Sequence, residues 1–362
     1  MTAHVRILAI NPGSTSTRIA RFEGATEVAS TELVHLHADL RSLPGILDQL
    51  GLRLRAIQEF MVEQRIEVHT LGAVVARGGL LHPIPHGTYG INDRMLADLR
   101  VGIQGQHASN LGGLLAYELV KGTSIPGFIV DPVVVDELRE RVRITGLKGI
   151  RRRPISHALN QVATGHRYAE ERGRSYDALN LVVAHLGGGI SVGAHQRGRC
   201  VDVNDALGGE GPFSPERAGS LPPFPLIDIC YCGRYTRDQV RRMVVGEGGL
   251  QGLLGTTDGR ALAQRYLGGE TEVQEVLDAM AYAVAKAIAA LWPAFDGEPV
   301  DQILITGGMA RCEPLMAKIR LGLGNLPAGV TVYPGENEML ALAQGVLRVL
   351  EGREEALEYN PA

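Results

Sequence analysis

Hydrophobic and polar positions repeat one pattern in the two halves of the chain. Val5–Phe22 (VRILAINPGSTSTRIARF) and Asn180–His195 (NLVVAHLGGGISVGAH) each open with an apolar run, break at small residues and resume with alternation. That spacing predicts strand, tight turn, strand in both places. Leu71–Ala76, Gly127–Val130 and Gln302–Thr306 are short apolar runs of buried-strand type. Helical spacing marks His107–Val120, about Ser156–Arg172 with Ser156 as N-cap, Thr236–Val245, Gly259–Leu267, Glu270–Ala294 and Glu338–Leu350. Strands alternating with helices predict an α/β fold. Leu138–Arg153 is basic and irregular, and the Pro- and Gly-rich Gly208–Pro225 is either a linker or an active-site wall.

Length adds a domain count. At 362 residues two domains are expected. A 45% hydrophobic, 21% charged chain with net charge −4 disfavours nucleic-acid binding. Cys200, Cys230, Cys232 and Cys312 make no disulfide framework, and C-x-C at 230–232 reads as a reduced thiol pair, which fits a cytoplasmic protein. The N-terminus MTAHVRIL shows no leader and enters a strand directly. Ala279–Phe295 is apolar but interrupted by Lys286, so a buried helix is expected there and no membrane partner.

Tight turns of small residues expose backbone N–H groups, which suits phosphate. A P-loop is excluded, because none of the four lysines (Lys121, Lys148, Lys286, Lys318) follows a glycine. A Rossmann site is excluded, because after Gly187-Gly188-Gly189 the next glycine is Gly193 and a strand follows where a helix is needed. A hairpin type of phosphate site is left.

NPGSTST (Asn11–Thr17) and HLGGGIS (His185–Ser191) resemble the two phosphate hairpins of the acetate and sugar kinase, actin and heat-shock ATPase superfamily, and ILITGGMA (Ile303–Ala310) resembles its adenosine motif. Within that group the chain resembles the acetokinase family. The matching segments are Asn11–Ala20, Arg77–Leu81, Asp131-Pro132, His157–Gln161, His185–His195, Glu210–Gly219 and Glu336–Gly345, nearly the whole chain. The resemblance implies a two-lobed, duplicated ribonuclease-H-like (actin-like ATPase) fold with a central cleft, the lobes being 1–150 with 337–362 and 151–336. It also implies transfer of a phosphoryl group between ATP and a short-chain carboxylate, with ADP and an acyl phosphate as products. Such a reaction needs no strong base; positioning, arginines and magnesium carry it. Homodimers or higher homo-oligomers are implied too.

By the same resemblance, Arg77 and Arg217 contact the acid and the moving phosphoryl group. Asp131 is the catalytic-site aspartate, and Glu338 with Asn11 holds magnesium. Asn11, Ser14, Ser16, Arg18, Gly187, Gly188 and Gly189 are the expected phosphate contacts. Asp258, Arg260, Gly307 and Gly308 are expected at the ribose and adenine. Acetate kinases carry an active-site histidine where this chain has Arg153, so no histidine is assigned; His157 reads as structural, His185 as a phosphate contact or a packed strand residue, and Arg151–Arg153 as a solvated basic turn.

Acetate kinases have two bulky valines after the first active-site arginine, and here they are Gly78 and Gly79. The expectation is an acyl pocket opened by the missing wall, favouring butyrate over acetate by about 15-fold for two methylenes. Acetate, propionate and branched acids stay as alternatives within the class. Outside it stand an actin- or chaperone-like ATPase and a non-catalytic nucleotide-binding regulator.

Overall fold

Two sheets share one strand order. In the first, β1 (Arg6–Pro12) turns into antiparallel β2 (Ser16–Glu23), which turns into antiparallel β3 (Thr26–Val34). On its other edge β1 pairs parallel with β4 (Ala73–Arg77), and β4 with β6 (Gly127–Val130). Antiparallel β5 (Thr88–Gly90) and the short β12 (Leu357–Glu358) extend this sheet. In the second, β7 (Asn180–Leu186), β8 (Ile190–Gln196) and β9 (Arg199–Val203) form the same antiparallel meander, and β10 (Gln302–Gly307) and β11 (Gly329–Pro334) add in parallel. The repeat seen in the sequence is thus a repeat of topology, β3-β2-β1-β4-β6 against β9-β8-β7-β10-β11.

This computed structural model describes residues 5–36, 38, 40 and 43–361; Met1–His4, where no leader was expected, lie outside them. Contacts divide the chain into unit 1, Met1–Asp136 with Asn337–Ala362, and unit 2, Glu137–Glu336. The first boundary falls at Asp136 rather than near residue 150. The reason is local: Arg139 N–H donates to Val201 O at 3.2 Å, Glu137 accepts from Cys200 N at 2.9 Å, and Leu138 packs on Cys200 and Val203.

Each unit has its own core. Unit 1 packs Leu8, Ile10, Val74 and Ile129 from its strands against Ile57, Leu111 and Leu115 from its helices. Unit 2 packs Val182, Ala184, Ile303 and Ile305 against Leu277, Met280, Val284 and Ile319. The Thr271–Ala290 helix is, with the turn after it, apolar and long enough to cross a membrane by composition, yet it buries the Leu277, Met280 and Val284 face in that core and exposes Tyr282. All four cysteines are free; Cys200 and Cys312 are buried, Cys230 and Cys232 exposed.

Several elements depart from expectation. The helix expected from Ser156 runs Ala158–Glu171 with His157 as N-cap and no side-chain cap, while Ser156 is buried. Helices at Leu50–Glu63, Asp93–Val101, Pro223–Tyr231 and Glu313–Leu323 carry patterns the sequence analysis did not single out.

Candidate active site

Parallel strands deliver side chains at their carboxyl ends, where a helix or loop must follow. In unit 1, β1 ends on Asn11-Pro12, β4 on Arg77, and β6 runs straight into Asp131. The last long helix, Glu338–Leu350, starts where the Asn337 side chain accepts from Leu340 N, which places Glu338 in its first turn. These termini meet at one carboxylate. Asn11 Nδ2 donates to Glu338 Oε2 at 2.6 Å, and Arg77 Nη1 donates to Glu338 Oε1 at 2.9 Å. Gly112 lets the Asn110–Val120 helix run against the Arg77 carbonyl, where a Cβ would collide.

Asp131 lies in the same sheet, one residue beyond Val130, the register partner of Arg77. Its carboxyl turns another way and accepts from Gly87 N at 2.6 Å. The residue is 3% exposed and sits at φ +38, a strained setting for an aspartate. Burial raises its pKa to about 6, against the pull of His86, Arg348 and the Gly87 hydrogen bond.

The first hairpin closes with Gly13 N donating to Ser16 O at 2.8 Å, leaving Ser14 and Thr15 exposed at its tip. Ser16 Oγ donates to Glu32 at 2.7 Å, so that hydroxyl is engaged on β3, and Arg18 is exposed on β2 opposite Asn11. His107 was not anticipated. Desolvation first, and the nearby Arg77 charge second, lower its imidazole pKa.

At Gly78 and Gly79, where an acyl pocket was expected, the protein's own interior comes close. A Cβ on Gly78 would stand 2.6 Å from Pro132 Cβ and 3.0 Å from Ile129 Cδ1. One on Gly79 would stand 2.6 Å from Asn110 Cα and 2.8 Å from Leu99 Cδ2. Both glycines are packed against the protein's own interior, so they serve close approach of backbone rather than room for substrate.

In unit 2 Gly187 and Gly188 border a cavity of about 450 Å³, with Asp258, Arg260, Gly308 and Arg311 on its other walls, while Gly189 lies outside the lining. Gly308 opens into space, whereas Gly307, at φ +97, backs onto the Leu186 backbone and lies outside the lining. Asp258 accepts from Arg260 N and Ala261 N and caps the Gly259–Leu267 helix, which orients Arg260 on the wall. The Gly208–Pro225 segment is a wall, not a linker: Ser214 Oγ donates to Gly188 O at 2.6 Å and Glu216 N to the same oxygen at 3.2 Å. The segment also lays the Arg217 guanidinium over Gly189, where any side chain would collide. Arg217 Nη1 donates to Ala206 O at 2.7 Å, its Nε is buried without a partner, and burial lowers its pKa.

Glu216 and Glu336, both on the cavity wall, went unforeseen, because a lone glutamate carries no spacing signal. Glu336 Oε1 stands 3.2 Å from Nε2 of buried His185, whose ring stacks on His157 at 4.0 Å between centroids. His157 Nδ1 bonds Ser191 Oγ at 2.9 Å. Arg153 pairs with Asp205 at 2.9 Å, Arg152 with Glu210 at 2.7 Å, and Arg151 with Glu140, so this basic turn is held by acids of unit 2.

A β-meander sheet repeated in each unit, with a small-residue turn at the same place in both, is the plan of the actin-like ATPase folds. The sequence profile of the acetokinase family matches residues 145–321. The chain is 45% identical over 354 residues to a probable butyrate kinase of Clostridium botulinum, covering 98% of this chain and 99% of that one. It is 45% identical over 355 residues to butyrate kinase 2 of Clostridium acetobutylicum, with the same coverage. Among solved structures, a propionate kinase from Francisella tularensis superposes with a TM-score of 0.75 at 18% identity, over 94% of this chain and 98% of that one, a likeness of fold. The chain belongs to the acetokinase family.

Proposed function

We propose that this protein is a short-chain carboxylate kinase that takes butyrate by preference: butanoate + ATP gives butanoyl phosphate + ADP. The names and full-length similarity of the Clostridium relatives support this reading. The observation that carries it is the convergence of Asn11 and Arg77 on Glu338 at the strand ends of unit 1.

In this reaction a carboxylate oxygen attacks the γ-phosphorus as its bond to the β-bridging oxygen breaks, and ADP departs with that electron pair. The acid is already ionised, so the protein's task is to hold two anions together and steady charge on the moving group. Arg77 suits the acid and the equatorial phosphoryl oxygens. Arg217, held over Gly189, suits phosphoryl oxygens as well. The unit 2 cavity takes the nucleotide, with Arg260 and Gly308 toward adenosine.

Magnesium fits thinly. Among the described residues no group of three His, Cys, Asp or Glu could cage a metal, but magnesium keeps waters and phosphate oxygens and needs few protein ligands. Glu338 would hold it, with Asn11 Oδ1, since Asn11 Nδ2 is turned to Glu338. When bound it neutralises developing phosphate charge.

A cytoplasmic homo-oligomer is part of the proposal. The Pro223–Tyr231 helix has no buried residue and exposes Phe224 (79%) and Tyr231 (86%), which supports assembly. The free cysteines and negative net charge support a cytoplasmic site and no nucleic-acid partner.

The test is an ATP, magnesium and hydroxylamine assay over C2 to C5 acids, scored as hydroxamate. Highest kcat/KM on butyrate is expected. No hydroxamate from any acid would overturn the kinase reading, and a peak at acetate or propionate would overturn the acid preference.

A further inference from the structure

The buried charges of unit 1 include one the reaction scheme does not use. Arg53, on the Leu50–Glu63 helix, is 0% exposed and lies beneath the first hairpin. Its Nη1 donates to Ser16 O at 2.8 Å and Thr17 Oγ1 at 2.9 Å, and its Nη2 to Ser14 O at 3.2 Å. The rest of the fork is fixed by Gln49 Oε1, which accepts from Nη2 at 2.9 Å and Nε at 3.2 Å. All of these acceptors are neutral. Among the described residues no carboxylate bonds it or pairs with it, although buried arginines are ordinarily paired with acids.

We propose that Arg53 is a positioning residue for the nucleotide's phosphates: it draws the Ser14 and Ser16 carbonyls inward, and by holding the Ser14 carbonyl it turns the Thr15 amide N–H outward to the anion. The inference rests on the kinase reading above and deepens it on the unit 1 side.

The peptide geometry makes the link. In a trans peptide the C=O and the following N–H point in opposite directions. Every peptide described is trans, so the Thr15 N–H points away from the guanidinium that holds the Ser14 carbonyl. Thr15 is exposed, and its N–H is open to a phosphate oxygen. Thr17 seats the other end. It is 0% exposed, accepts from Arg53, and bonds His35 Nε2 at 2.9 Å. An unopposed guanidinium below the outward Thr15 amide also gives the turn a fixed positive bias where phosphate charge must come.

Lysine cannot copy this, because a single ammonium cannot span Gln49 and three hairpin acceptors. The experiment compares ATP and adenosine binding by calorimetry in the full chain, for wild type, Arg53→Lys and Arg53→Met, each checked for native near-ultraviolet circular dichroism. Adenosine has no phosphate and reports the unit 2 cavity alone. Expected is a loss of ATP affinity of about 10- to 100-fold in Arg53→Met, a smaller loss in Arg53→Lys, and adenosine affinity unchanged in both. If Arg53→Met does not fold, Arg53→Lys alone decides by the same ratio. ATP and adenosine affinities falling together, or neither falling, would overturn the role of Arg53 while leaving the kinase reading intact. Wild-type protein that binds no ATP would instead overturn the kinase reading, and this proposal with it.

Discussion

At the scale of residues, the site is made of groups whose neighbours decide their charge. Glu338 is shared by Asn11 and Arg77, so its loss frees an arginine and an amide at once. Glu338→Ala is expected to lower kcat by about 100-fold or more while circular dichroism stays native. Asp131 is a different case. Its folded pKa is raised from 3.8 to about 6, so the folded state holds the proton more tightly than the unfolded chain. Stability therefore falls as pH rises from about 4 to about 6, and the cost persists above that. Asp131→Asn, which keeps an acceptor for Gly87 N, is expected to gain at most about 3 kcal/mol over the parent at pH 8 and nothing at pH 3. Urea unfolding at the two pH values checks this, and an equal gain at both would refute the assignment. Asn11, Arg77 and Glu338 were reached through the family resemblance; Asn11 and Arg77 also stand at the ends of apolar runs, whereas Glu338 opens the last helix. The turn of Asp131 toward Gly87, and the Arg53 clamp, were not, since both depend on partners far along the chain.

At the scale of elements, apolar strands announced themselves and polar edges did not. The β1, β4, β6, β7 and β10 runs are almost wholly buried, and hydrophobicity found them. Edge strand β3 has no fully buried residue, so its pattern resembles a loop. Glycine was the residue type most easily misread. A missing side chain says only that something comes close, and the contacts say what. At Gly79 the neighbour is the Asn110–Val120 helix, so Gly79→Val should cost about 1–3 kcal/mol by overpacking. Acetate and butyrate activities should fall together. A lowered melting temperature with an unchanged acid ratio is the expected readout, and a selective loss of butyrate turnover would restore the pocket idea.

At the scale of the whole molecule, unit 2 is one continuous stretch with its own core, while unit 1 is built from both ends of the chain. Residues 137–336 expressed alone are expected to fold and bind ADP, and to make no acyl phosphate, because Arg77 and Glu338 are absent. Truncation after Glu336 should instead unfold unit 1, since it removes Leu342 and Val346, buried in the closing helix, along with Glu338. Calorimetric melting of the two shortened chains separates these outcomes.

Sequence alone determined the duplicated strand-turn-strand plan, the phosphate chemistry and the family, because these reside in local pattern and in motifs whose order along the chain is enough to recognise. Tertiary structure decided which glycines line a cavity and which face the interior, where the Asp131 carboxyl points, and which cation underlies the first hairpin. Those are distances between residues tens to hundreds of positions apart, and packing, not pattern, sets them.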